Sequence, residues 1–322
     1  MAARDRSAPA AVYNRGMKLA LALVSCLSLA LVGCEKKKSD APAKPAPAAP
    51  APGSAAAPTP TPGSAAPTPG STAVAPADGI TLPNTPRQVG DKVTETEERT
   101  MVAKAEVGPG QVIDFNSTEK RVEAKEALAV VDGAITKLKV TYTTFTIDET
   151  VGGKPKAKPT PTAGKTYVVW REGGELKVTY EDGSAPPADE IKAVSKSNRS
   201  VGKPDVLDKF LAGQVWKTGV KVDLPADVLA EMNQAKGGDV EPSLTAMSFT
   251  LQTADDAVAT MAMTMTMAGK SPTGEMGIEL AGTAKVDRKT GRPVEVAATG
   301  PFTANVKVKM TGTMTMKTSY AF

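Results

Sequence analysis

The chain has 322 residues, a net charge of +4, no histidine and two cysteines. Without histidine it lacks the commonest general base and the commonest transition-metal ligand. Four of its cations (Arg4, Arg6, Arg15, Lys18) lie ahead of Cys34 against the single anion Asp5, so the rest of the chain is close to neutral and has no electrostatic footprint for nucleic acid.

A secretory leader needs a basic start, an apolar segment of about 7–15 residues and a small-residue cleavage site. Lys18, the run Leu19 to Leu31 and Gly33 supply these in order. The run is shorter than the roughly 20 residues of a membrane-spanning helix. Met17, directly before Lys18, is an alternative start that leaves residues 1–16 outside the leader. A short buried helix ending at a chance cysteine is the competing reading, and the low-complexity sequence that follows weighs against it.

Leu31-Val32-Gly33-Cys34 resembles the lipobox of bacterial lipoproteins cut by the lipoprotein signal peptidase. Over residues 17–34 the resemblance implies removal of a signal peptide (1–33), a thioether-linked diacylglycerol on Cys34 and a fatty-acylated amino terminus of the palmitate type. Two or more acyl chains hold a protein stably on a membrane where one does not, and Lys36, Lys37 and Lys38 would add attraction to anionic headgroups. The expected location is the cell envelope, lipid-anchored to a bacterial membrane, at the outer membrane on its periplasmic side or at the cell surface. With Cys26 lost in the leader and Cys34 acylated, the remainder has no disulfide although such a compartment is oxidising.

Residues 34–86 read as the lipidated cysteine and a linker. From about Asp40 to Asp78 the sequence is Ala, Pro, Ser, Thr and Gly, with Pro-Gly-Ser at Pro52, Pro62 and Pro69. Such a segment cannot bury enough apolar surface to fold. Fully extended as polyproline II at about 3.1 Å per residue, it reaches on the order of 150 Å.

Residues 87–322 read as one β-rich globular domain of the α+β class: predominantly antiparallel, a curved sheet or half-barrel with a few short helices. Asp91 to Val107 is a strand ending at the turn Gly108-Pro109-Gly110. Residues 117–131 favour a helix by composition, but Asp132-Gly133 is a hairpin signal and Ile135 to Ile147 a β-rich partner, which tips the reading to strand. Gly152 to Gly164, around Lys154, Lys156 and Lys158, reads as a solvated basic loop. Strands follow at Tyr167 to Trp170 and Leu176 to Tyr180 across Gly173-Gly174. Short helices open at Pro187, Pro204 and Pro225, since proline is welcome in a first helical turn. From Ser243 a meander is expected, with strands over 244–253, 258–268, 275–286, 293–299 and 303–320, and turns at Asp255-Asp256, Ser271-Pro272, Lys289-Thr290-Gly291 and Gly300-Pro301.

Met261, Met263, Met265 and Met267 take alternate positions on one of these strands, Met276, Ile278 and Leu280 on the next, and Met310, Met314 and Met316 on the last. A period of two puts each set on one face. Three readings compete. Met fills irregular core gaps; a Met-lined groove adapts to apolar ligands; and Met-X-Met suits a soft metal such as Cu(I), though no His or Cys is at hand to complete such a site. No cofactor is implied.

Neither Ser195-Lys196-Ser197 nor Asp255-Asp256 sits in a catalytic context, and no phosphate-cradling Gly-rich loop is present, so no enzyme is expected. The half-barrel is similar in architecture to the lipoprotein-carrier and mycobacterial lipid-binding lipoprotein families. The arrangement of signal, Pro/Ala stalk and β-rich domain resembles uncharacterised envelope lipoproteins, which implies no particular activity. Two functions remain: a non-catalytic binding or structural envelope module with a protein partner, or a carrier of a lipid or other apolar ligand on the Met face.

Overall fold

The computed structural model describes residues 79–203, 205–233, 243–271, 274–305 and 308–322; the apolar run Leu19 to Leu31, Cys34 and the Pro/Ala-rich stretch to residue 78 lie outside them. The strands are β1 (Ile80–Thr81), β2 (Lys92–Gly108), β3 (Gln111–Val131), β4 (Ala134–Val151), β5 (Lys154–Ala157), β6 (Thr166–Glu172), β7 (Glu175–Tyr180), β8 (Val215–Trp216), β9 (Lys221–Asp223), β10 (Ser243–Ala254), β11 (Val258–Ser271), β12 (Gly274–Asp287), β13 (Pro293–Asn305) and β14 (Lys309–Ala321). Three short helices complete the chain: α1 (Ala188–Ser197), α2 (Val206–Ala212) and α3 (Ala226–Asn233).

The class is α+β, predominantly antiparallel. Twelve strands form one open sheet in the order β7-β6-β4-β3-β2-β14-β13-β12-β11-β10-β9, with β5 on the far end of β4. β1 pairs separately with β8. Turn chemistry fixes the long hairpins: Asp132 and Gly133 both have positive φ (50° and 76°), as do Gly173 and Gly174 (58° and 87°), the left-handed pair that matches strand twist in a two-residue turn.

Side chains alternate between a buried inner face and a solvated outer one. The inner face carries two apolar cores. The larger runs from Phe115 on β3 round to Leu251 on β10 and is covered by Val206 and Leu211 of α2, Met232 of α3, Trp216, Ile80 and Leu82. The smaller joins Leu138, Val140 and Tyr142 of β4 to Tyr167, Val169 and Val178 under Val194 of α1. There the buried carboxylate of Glu190 accepts from the Tyr167 hydroxyl (2.6 Å) and the Tyr180 hydroxyl (2.8 Å).

The sheet coils. A single small cavity is lined by residues of β2, β3, β10, β11, β12, β13 and β14, although seven strands at roughly 4.8 Å spacing would span about 29 Å if flat. Three inner-face glycines permit the bend. Gly282, Gly300 and Gly312 lie on successive strands, each displaced by one inner position from the residue its neighbour pairs with. A Cβ at these positions would come within 1.9 Å of the Ala297 carbonyl oxygen, 2.0 Å of that of Glu279 and 2.2 Å of that of Val102.

Several expectations are corrected. Gly300-Pro301 is no turn but the middle of β13; the β12–β13 pairing skips these two residues, where the missing N–H of Pro301 does least harm, and strand 303–320 is divided between β13 and β14. The basic loop after Gly152 contains β5, whose Lys158 neighbour is drawn in against Glu149 (2.9 Å). Ile80 and Leu82 are core residues, so the folded chain includes residues that composition places in the linker. The three helices and the strand reading of 117–131 stand.

Gly300→Ala is expected to destabilise by about 3 kcal/mol or more, as overpacking against backbone does. Outer-face Gly277→Ala, whose Cβ would meet only Thr303 Oγ1 at 3.4 Å, should stay within about 0.5 kcal/mol. Equal losses in denaturant melts of the two variants would refute the glycine diagonal as the origin of the bend.

Candidate functional site: the Met face, a buried ion network and the cavities under α2

All ten residues of the Met face, from Met261 to Met316, are at most 5% exposed and belong to the larger core. Met261 pairs with Ala284 and Met263 with Gly282, where the thioethers fill the space left by the small residues, while Met265 and Met267 pair with Leu280 and Ile278. The face is thus enclosed except for a cavity of about 70 Å³ at Met261 and Met263. Cys34 lies outside the described residues. Among the described residues no group of three or more His, Cys, Asp or Glu is arranged to hold a metal ion.

Between the two cores the inner face is charged. Glu95, Glu97 and Arg99 of β2 face Glu119, Arg121, Glu123 and Lys125 of β3, all buried. Glu97 bridges Arg99 and Arg121; Arg99 also lies 3.6 Å from Glu119 and Arg121 3.2 Å from Glu123. Lys125 is held between Glu95 and Glu123. Arg121 donates to Ser197 Oγ at the end of α1 (2.9 Å), which ties the smaller core's helix to the seam. Burial pushes the Glu97 carboxyl up, but Arg121 and Arg99 outweigh it and hold it below the ordinary 4.5. Burial works against the Lys125 ammonium too, and Glu123 and Glu95 raise it well above its usual range.

This network is legible in hindsight. Val93, Met101, Ala103 and Ala105 fix which parity of β2 faces inward, and Glu95, Glu97 and Arg99 share that parity. Apolar periodicity alone passes over it, because charged residues are presumed to face water.

A second cavity, about 190 Å³, adjoins the first. It is lined by Thr85, Arg87, Ser200, Lys203 and Lys209 among others, and Arg87, Lys125 and Asp208 line both. Burial, then Arg171 and Arg199, push Lys203 down to about 8. Arg171 donates to the carbonyls of Val201 (3.0 Å), Arg199 (2.9 Å) and Gly174 (2.5 Å), which fixes this loop against the β6–β7 hairpin.

Ser197 and Asp255, also singled out in sequence, have local partners. Ser197 accepts from Arg121 as above. The Asp255 carboxylate accepts from the backbone N–H groups of Ala257 (2.8 Å) and Val258 (2.7 Å), which lower it as in a hairpin turn.

No family model matches the chain, and no curated protein matches it in sequence. Among solved structures it is similar to lipovitellin, from a study of lipid–protein interactions in that protein (TM-score 0.38, 9% identity), over 73% of this chain but only 25% of that one, so it spans about a quarter of lipovitellin's length. It is also similar to DynF of the dynemicin biosynthesis pathway of Micromonospora chersina (TM-score 0.18, 10% identity, 80% of this chain and 92% of that one). A third is an outer membrane channel from Pseudomonas putida F1 (TM-score 0.18, 8% identity, 74% and 97%). Likenesses this low carry no argument about fold or function.

Removing one partner of a buried ion network costs about 3–5 kcal/mol, so Glu97→Gln should lose that much in urea melts. Because the folded Glu97 value is lowered, the network's contribution is complete above the unfolded value and disappears as pH falls through the folded one. The urea midpoint of the wild type is therefore expected to drop as pH falls below the ordinary carboxyl value of 4.5, and to drop less in Glu97→Gln. Parallel profiles for the two proteins would exclude Glu97 as a source of the acid sensitivity.

Proposed function

We propose that the chain is a lipid-anchored, non-catalytic module of the bacterial cell envelope, held clear of the membrane by the Pro/Ala-rich stalk. The observation that carries this reading is Leu31-Val32-Gly33-Cys34 at the end of a short apolar leader with a basic start. Acyl chains on Cys34 would supply the membrane attachment, and an envelope protein would be the partner of the domain. The polar outer face, alternating Thr, Lys and Glu along β2 and β14, suits a domain working in an aqueous compartment.

A second reading, binding of an apolar ligand, is favoured by one observation: the cavity at Met261 and Met263, lined mainly by apolar side chains with Arg87, Glu95, Lys125 and Asp208 among them. At about 70 Å³ it is far below the roughly 300–1,000 Å³ of a drug-sized ligand pocket, so any ligand would enter only in part or would displace a covering element.

Cells expressing the chain and fed an alkyne-tagged palmitate should yield a labelled, membrane-associated protein. Cys34→Ser should lose the label and the association together. Labelling that persists in Cys34→Ser would refute the anchor. For the second reading, native mass spectrometry of the chain from residue 34 onward carrying Cys34→Ser, prepared without detergent, should show an excess mass that organic solvent removes. A bare polypeptide mass would count against a co-purifying ligand.

A further inference from the structure

The two adjoining cavities differ in chemistry, the smaller mainly apolar and the larger mixed and charged, and α2 borders both. On this helix Leu207 and Leu211, four residues apart and so on one face, line the apolar cavity with Phe249, Met261, Met263 and Val296. Asp208 and Lys209 of the same helix, with Lys203 and Ser200 of the loop before it, line the polar one. Of the acidic side chains there, Asp132 belongs to the β3–β4 turn, Asp205 caps α2 by accepting from Asp208 N–H (3.1 Å), and the Asp208 carboxylate lies 3.6 Å from Arg87. Arg87 stands at the junction, lining both cavities.

We propose that the joined cavities form one binding site for a single-chain anionic amphiphile. Its acidic head sits between Lys203, Lys209 and Arg87, and the first carbons of its chain lie against Leu207, Leu211, Met261 and Met263. The inference rests on the second reading above and places the ligand at the α2 edge of the Met face. Charge complementarity selects the occupant: a compartment lined by four cations (Arg87, Lys125, Lys203, Lys209) against three aspartates (Asp132, Asp205, Asp208), beside a mainly apolar one, matches a molecule with a negative head and a hydrocarbon tail. The head competes with Asp208 for Arg87. The apolar compartment takes only a few methylene groups, so a longer chain must move α2, a seven-residue helix whose buried apolar anchors are Val206 and Leu211.

The fold supplies a reporter, because the buried indole of Trp216 donates to the Leu211 carbonyl (2.9 Å). The chain from residue 34 onward, with Cys34→Ser, is titrated with hexyl phosphate, inorganic phosphate and hexyl glucoside, followed by calorimetry and tryptophan fluorescence. Hexyl phosphate should bind at least about tenfold more tightly than either control. Lys203→Gln should weaken it about tenfold, and the exposed Lys209→Gln should weaken it in the same direction with an unchanged melting temperature. Inorganic phosphate binding as tightly as hexyl phosphate would overturn the amphiphile in favour of a bare anion pocket. Hexyl glucoside binding equally well would overturn the cationic head site while leaving the apolar-ligand reading intact. No binding of any probe would overturn both.

Discussion

Everything in this fold follows from having to cover one face of a very long antiparallel sheet with almost no aromatic residues. Aromatic side chains make up 4% of the sequence, so the bulk that Phe and Trp normally bring to a core must come from elsewhere. The chain answers with flexible Met side chains opposite Ala and Gly, and with a sheet that coils over its own inner face. The inner glycines Gly282, Gly300 and Gly312 lie where a Cβ would strike the neighbouring strand's backbone. Curvature then lets β2 and β10 contribute to the same cavity, and only short helices are needed to finish the enclosure.

The same constraint explains why a sheet this wide holds two cores. β4, of 18 residues, is long enough to carry Leu138, Val140 and Tyr142 in the smaller core and to pack Val151 against the larger, while β2 and β3 hold their part of the larger core at one end only. Between the two cores lie charges that neutralise one another across β2 and β3. Replacing such a network by well-packed apolar residues is often neutral or stabilising, so net stability is a poor explanation for it. What it provides is a directional connection: Glu97 is shared by two arginines, and one of these reaches Ser197 on α1. The edges of the sheet are managed locally. Asn233 at the end of α3 donates to the Leu244 carbonyl (2.7 Å) and accepts from the Leu244 N–H (2.9 Å), occupying backbone groups that would otherwise invite another strand.

Local pattern made most of the strands legible. Alternation over residues 258–287 and the Asp132-Gly133 turn are short-range signals, and the structure agrees with them. Gly300-Pro301 misled because the pair is ordinarily a turn signal, whereas here glycine serves curvature and proline falls at a gap in the pairing. The Met face has the right periodicity in sequence, but its closure depends on α2 and α3, supplied by a separate stretch of chain, and no local pattern reports that. The charged seam escapes apolar periodicity for the opposite reason: its parity is readable, but the partners that make burial tolerable sit on another strand.

The candidate site belongs to that non-local class. Arg87 arrives from the segment before β2, Lys203 and Lys209 from the turn and helix after α1, and Met261 and Met263 from β11; nothing in their spacing along the chain brings them together. Their meeting depends on α2 being placed by Leu211, whose carbonyl binds Trp216, and by Val206 and Leu207 on the sheet. An element this short, capped at one end by Asp205 and tied at the other by an indole, is among the less stable parts of a structure whose core strands each make ladders on both sides. Binding elements are drawn from the low-stability end of a fold because opening them need not disturb the rest. In this chain the sheet supplies the rigid floor, and α2 is the cover that can be lifted at least cost.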